Sequence, residues 1–149
     1  MARTFEFPRP TAADFGSIRE LLSANGLPAS DLSLALLAHF RVHRDGERVV
    51  AVGGIELLGT TGLLRSVAVD PAYRATGIAS PLVAALEREA ARLGLDALYL
   101  LTTTAADFFA RRGYVVVGRG SVPAAIRETA QFTQLCPGSA TCMRKTLSA

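Results

Sequence analysis

Arg74-x-x-Gly77-x-Ala79 lies between a β-branched run, Leu63 to Val69, and an apolar-periodic stretch that opens near Ile78. A basic, glycine-containing turn in that place aims successive backbone N–H groups into a hollow at the positive end of a helix, a setting suited to phosphate oxygens. The pattern lacks the three glycines and the later acidic residue of a dinucleotide fingerprint. It also lacks the Gly-Lys-Ser/Thr ending of a nucleotide-triphosphate loop. The holding groups would be the amides of Ala75, Thr76, Gly77, Ile78, Ala79 and Ser80. Arg74 could pair with the phosphates, the alternative being a solvated turn residue.

Glu56 stands in an otherwise apolar strand, Val49 to Leu58. A carboxylate there belongs to a cleft or to the open side of a sheet, which makes Glu56 the candidate general base. The alternative is an outward residue of an alternating strand. Arg65 and Ser66 occupy the middle of the next strand, where an arginine is costly unless paired or facing a ligand. A guanidinium fork fits an α-carboxylate or phosphonate, so Arg65 is the candidate substrate anchor. Its alternative is an internal salt bridge with Glu56 or another carboxylate. Ser66 is carried as a catalytic candidate with packing as its other reading. Thr102 and Thr103 could contact substrate, or this threonine run could cap the helix that follows.

Other residue types carry less. Cys136 and Cys142 are the two cysteines. With no histidine cluster beside them they make a weak metal site and read as small buried residues, so no metal is assigned. His39 and His43 read as surface or satisfied histidines, and no Ser/His/Asp or Cys/His arrangement emerges.

The chain has 149 residues, the size of one domain, so residues 1–149 are read as a single domain. Half of them are hydrophobic and 19% charged, which describes a compact fold and excludes a disordered one. No apolar run approaches the ~20 residues of a membrane span. The start, Met-Ala-Arg-Thr-Phe-Glu-Phe-Pro, has no apolar signal core, so a cytoplasmic protein with reduced thiols is expected. Net charge is +3 with scattered arginines, which disfavours nucleic acid and suits an anionic small molecule.

The elements that must position these groups follow from periodicity. Thr11 to Asp14 resembles a capping box, and Phe15, Ile18, Leu21 and Leu22 follow at helical spacing until Gly26 and Pro28. A second helix is expected from Asp31 to Ala38. Phe40 to Arg44 alternates, and Asp45-Gly46 signals a hairpin into Val49 to Leu58. Leu63 to Val69 is then the central strand. Leu82, Leu86, Ala90 and Leu93 make one apolar stripe ending at Gly94. Ala97 to Leu101 reads as a strand, Ala105 to Arg112 as a helix and Tyr114 to Val117 as a strand. A helix over Pro123 to Ala130, a loop over Gln131 to Ser139 and a strand over Thr141 to Leu147 complete the chain. An antiparallel meander leading into a strand–loop–helix–strand crossover gives a mixed α/β (α+β) sheet flanked by helices.

The loop and this element order resemble the GNAT acetyltransferases, whose coenzyme A diphosphate loop is commonly Arg/Gln-x-x-Gly-x-Gly/Ala after a strand ending in Ala-Val. The segment Leu100-Leu-Thr-Thr-Thr-Ala-Ala-Asp-Phe-Phe-Ala-Arg-Arg-Gly-Tyr114 is similar to the one that lies along the acetyl-CoA arm. It looks specifically like the acetyltransferase domain of N-acetylglutamate synthases. Gln131 to Ser139 departs from the basic segment of those synthases. With Leu63 to Val69 and Glu56, it looks closer to small acetyltransferases encoded with arsenic-resistance genes.

The resemblance implies a mostly antiparallel sheet with splayed central strands, acetyl-CoA as co-substrate, and direct transfer in a ternary complex to the amino group of a small amino acid-like substrate. A glutamate-like or arsenic-containing toxin would be one such acceptor. It implies that backbone N–H groups of Val67, Ala68 and Val69 polarise the thioester carbonyl. It also implies that the Thr102–Thr104 run could meet the pantetheine arm and that Phe108 lies along the coenzyme; Arg111 could reach the coenzyme phosphates, the alternative being an exposed residue. The tyrosine acid of many GNAT enzymes would fall at Phe109, which has no proton to give. That departure motivates the alternative of a non-catalytic sensor of acetyl-CoA or an arsenical. A homodimer through the last strands is expected by analogy.

Overall fold

The computed structural model describes residues 5–135 and 140–147. Six strands form one sheet in the order β1-β2-β3-β4-β6-β5: β1 Phe40–Asp45, β2 Arg48–Leu58, β3 Thr61–Val69, β4 Ala97–Thr102, β5 Val115–Val116 and β6 Thr141–Thr146. Helices α1 (Phe15–Ala24), α2 (Ala79–Arg92), α3 (Ala106–Ala110) and α4 (Ala124–Arg127) interrupt them, with 3-10 turns at Ala12–Asp14, Leu36–His39, Pro71–Thr76 and Arg119–Ser121. β1 pairs antiparallel with β2, β4 and β5 pair antiparallel with β6, and β3 runs parallel to β4, with Thr61–Leu63 opposite Ala97–Tyr99. No helix among the described residues is long and apolar enough to cross a membrane.

The chain divides into two compact units, one of residues 1–55 and 66–89, the other of 56–65 and 90–149. The first has its own core, because the apolar stripe of α1 (Ile18, Leu21, Leu22) packs on Phe40, Val42, Val49, Val52 and Ala68. Gly53 admits α2 there: a Cβ at that position would lie 2.7 Å from Leu86 and 3.7 Å from Leu82. The second unit is built on Leu63, Ala97, Tyr99, Val122, Ile126 and Cys142.

The capping box at the first helix is present. The Thr11 N–H donates to Asp14 Oδ2 at 2.7 Å, and Arg44 clamps the same carboxylate. Several expected elements are shorter than their sequence patterns. Asp31 to Ala38 yields only the 3-10 turn Leu36–His39, since Ser33 Oγ accepts the Leu36 N–H and competes with a helical carbonyl. The strand expected over Tyr114–Val117 contains two paired residues. The expected Pro123–Ala130 helix is α4 alone, where Thr129 Oγ1 donates back to Ile126 O at 2.8 Å and the chain passes into a π-helical turn at Gln131–Leu135.

Candidate functional site

The turn after β3 is built by side chains local to it. Asp70 Oδ1 accepts the Ala72 N–H at 2.9 Å, Asp70 itself donates its N–H to Val50 O at 2.8 Å, and Arg48 pairs with its carboxylate. Pro71 then opens the 3-10 turn, where its missing N–H costs nothing. Tyr73 N–H returns to Asp70 O at 2.8 Å, and Thr76 Oγ1 donates to Tyr73 O at 2.5 Å. Gly77 ends the turn at φ 75°, in the left-handed region that only glycine enters without strain. Ile78 is fully buried and pins the chain where α2 begins.

Ala75 and Gly77 are exposed on this turn, and a Cβ at Gly77 would have nothing within 4 Å. The loop is therefore open where an anion would approach the backbone. The 14 residues of α2 align their dipoles behind this turn. These features fit a diphosphate. Arg74 is exposed and its Nη2 donates to Asn25 Oδ1 at 2.5 Å. Asn25 gave no sign in the sequence beyond its place at a helix end.

Immediately before this segment Ser66 has φ 59°, the one non-glycine residue with positive φ among those described. A serine in the left-handed region inside a strand is strained by about 1 kcal/mol or more and persists only where its surroundings impose it. Ser66 itself is 9% exposed and Ala68, two residues on, 4%. No residue pattern announced this feature, because serine is an ordinary strand occupant.

In the other unit Arg65 and Glu56 are brought together. Arg65 Nη1 donates to Glu56 Oε1 at 3.1 Å, the arginine side chain being 1% exposed and the glutamate 25%. The internal salt bridge that was the alternative for Arg65 is therefore present: a guanidinium withdrawn from water pairs with a carboxylate. Thr102 Oγ1 accepts the Ala105 N–H at 2.9 Å just ahead of α3, whose N-cap Ala105 provides no side-chain cap, and Thr103 is exposed.

Along α3, Phe108 is half-buried and its ring is covered by the Arg112 guanidinium at 3.8 Å from the centroid. Arg112 Nη1 also donates to Phe108 O at 2.9 Å, while Arg111 is exposed. The sequence singled out Arg111; the structure makes Arg112 the arginine that stacks on Phe108. Phe109 is 6% exposed and edge-on to both Phe108 and Tyr114, so its position serves an aromatic cluster. Burial pushes the Cys142 thiol up, against a smaller opposing effect of Arg119. Cys136 lies outside the described residues.

Residues 37–116 match the family described as "Acetyltransferase (GNAT) domain". The chain is 39% identical over 64 residues to an amino-acid acetyltransferase of Pseudomonas putida (43% of this chain, 15% of the relative). It is 36% identical over 86 residues to the amino-acid acetyltransferase of Azotobacter vinelandii, covering 56% of this chain. It spans only 20% of that relative. Among solved structures, N-acetylglutamate synthase of Neisseria gonorrhoeae, complexed with coenzyme A and N-acetyl-glutamate, shares the fold at TM-score 0.86 and 16% identity, over 100% of this chain and 36% of that one. Rv2747 of Mycobacterium tuberculosis, in complex with CoA and NLQ, aligns at TM-score 0.80 and 25% identity over 96% of this chain and 99% of its own.

Proposed function

The chain belongs to the GNAT acetyltransferase family, and from that premise we propose that it is an N-acetyltransferase moving the acetyl group of acetyl-CoA to the amino group of an amino acid or a close analogue. The observation that carries this reading is the open turn from Asp70 to Ser80, with left-handed Gly77 at the head of α2. We read residues 1–149 as one functional domain of that type.

When bound, acetyl-CoA supplies the acetyl group and a thiolate leaving group. The amides of Ala75 to Ser80, with Arg74, hold its diphosphate. Backbone N–H groups among Val67, Ala68 and Val69 polarise the thioester carbonyl. Glu56 takes a proton from the acceptor ammonium, so that a neutral amine attacks. Arg65 holds Glu56 in one position and is assigned as its positioning residue. Phe109 is given no proton-transfer role. Most of the rate enhancement then comes from placing two reactants together.

The amino-acid acetyltransferases of Pseudomonas putida and Azotobacter vinelandii support an amino acid as acceptor. Glutamate-like acceptors, including phosphorus- and arsenic-containing analogues, present the same α-amino and acid groups and belong in one panel. The test is thiol release from acetyl-CoA across that panel, beside peptides with free N-termini. Steady turnover with a free amino acid is expected. Turnover confined to peptides, or none with any amine, contradicts the proposal.

A further inference from the structure

We infer that Asn25 is a positioning residue for the coenzyme loop, holding the Arg74 guanidinium in place before a diphosphate arrives. The inference rests on the coenzyme reading of residues 74–80 given above.

Asn25 closes α1. Its backbone N–H reaches the carbonyls of Leu21 and Leu22 at 3.2 and 3.1 Å, Gly26 N–H returns to Ser23 O at 3.0 Å, and Leu27 N–H returns to Leu22 O at 2.9 Å. With Gly26 at φ 70°, this doubled closure fixes the backbone on either side of residue 25. The side chain is fixed as well, because Nδ2 donates to Leu21 O at 2.8 Å. The amide nitrogen being so engaged, Oδ1 faces away from the helix, where it accepts from Arg74 Nη2 at 2.5 Å. A half-buried, doubly held amide therefore restrains an exposed arginine 49 residues further along the chain.

Two properties make this a preparation for an anion and not merely a surface contact. An arginine on an exposed turn samples many rotamers, and an anion that binds it must freeze them. Here the guanidinium is held on the protein side beforehand. The acceptor is also neutral. A carboxylate in the same place would cancel the charge the diphosphate is to meet, whereas an amide oxygen orients the fork and leaves its charge intact. One oxygen cannot take up the five N–H donors of the guanidinium, so the fork keeps donors for phosphate.

The test is a double-mutant cycle on coenzyme A affinity by titration calorimetry, with the wild type, Asn25→Ala, Arg74→Ala and the double variant. Asn25→Ala is expected to weaken binding about three- to tenfold, the effect of releasing one long side chain. Arg74→Ala weakens it at least as much, and the double variant binds no more weakly than Arg74→Ala. A second readout is the Arg74 Nε–H resonance of the ligand-free protein, ordered in the wild type and averaged in Asn25→Ala.

Wild-type affinity in Asn25→Ala beside an impaired Arg74→Ala overturns the inference. So does an Asn25→Ala loss that persists undiminished in the Arg74→Ala background, since that reports the broken helix end alone. If the wild type takes up no coenzyme A, or Arg74→Ala binds as the wild type does, the coenzyme reading of Arg74 itself has failed.

Discussion

Arg65 and Glu56 hold each other across neighbouring strands, Nη1 to Oε1 at 3.1 Å, with the arginine withdrawn from solvent and a quarter of the glutamate left exposed. That asymmetry separates their roles. On the proposed mechanism the exposed partner meets an acceptor amine and the buried one orients it. Glu56→Gln keeps an acceptor for Arg65 but cannot take a proton. Its kcat is expected to fall about a hundredfold or more, with the melting temperature nearly unchanged. Glu56→Ala should in addition lose about 3 kcal/mol of stability, because a buried guanidinium loses this carboxylate. Steady-state kinetics beside thermal unfolding distinguishes the two. A Gln variant at wild-type rate removes Glu56 from the mechanism.

A second ion pair contributes to the response to acid. The Arg44 side chain, opposed by burial and aided by the Thr11 N–H, holds the Asp14 carboxyl below its ordinary value of 3.8. A carboxyl whose folded value lies below its unfolded value contributes stability in full above the unfolded value, and that contribution is lost as pH falls through the folded one. Asp14→Asn should therefore cost about 1–2 kcal/mol at neutral pH and flatten the loss of stability below about pH 4. Urea unfolding from pH 2 to pH 7 measures both. An Asn variant that tracks the wild type at constant offset down to pH 2 contradicts the assignment.

Gly54 exists to admit a ring. A Cβ there would lie 2.1 Å from the Phe40 ring, which is fully buried on β1. Gly54→Ala should destabilise by about 1–3 kcal/mol, and the penalty should shrink in a Phe40→Leu background that makes room. Equal penalties in both backgrounds would show that crowding by Phe40 is not the cause.

The parts of the fold legible in the sequence are those with a strong local period or punctuation. The α1 stripe with its capping box, the Asp45-Gly46 hairpin and the long α2 fall where those signals put them. Short elements near β5 and α4 are not so determined, since two to four residues carry no period, and side chains such as Thr129 decide locally where the backbone turns. At the candidate site, Arg74, Gly77 and the strand–turn–helix frame could be read directly. The Arg65–Glu56 pair was one of two readings, because sequence places both residues on strands without showing which way they face. Ser66's strain, Asn25's grip on Arg74 and Arg112's stacking on Phe108 arise from tertiary placement, for which those residue types give no advance notice.

The loop glycine offers a compact check. Nothing lies within 4 Å of a Cβ built on Gly77, so Gly77→Ala should cost only the left-handed strain, about 1–2 kcal/mol of stability. On the coenzyme reading that methyl projects where the diphosphate approaches, and affinity for acetyl-CoA should drop at least about tenfold. Calorimetric titration of the folded variant decides it, and unaltered affinity would place the coenzyme elsewhere.

The most direct measurement is a crystal structure of this protein with coenzyme A bound. The account predicts diphosphate oxygens within hydrogen-bond distance of backbone amides between Ala75 and Ser80, with the Arg74 guanidinium beside them and the thiol directed along Val67–Val69. A coenzyme bound away from that turn, or a turn whose amides are all taken up by the protein's own side chains, would contradict it.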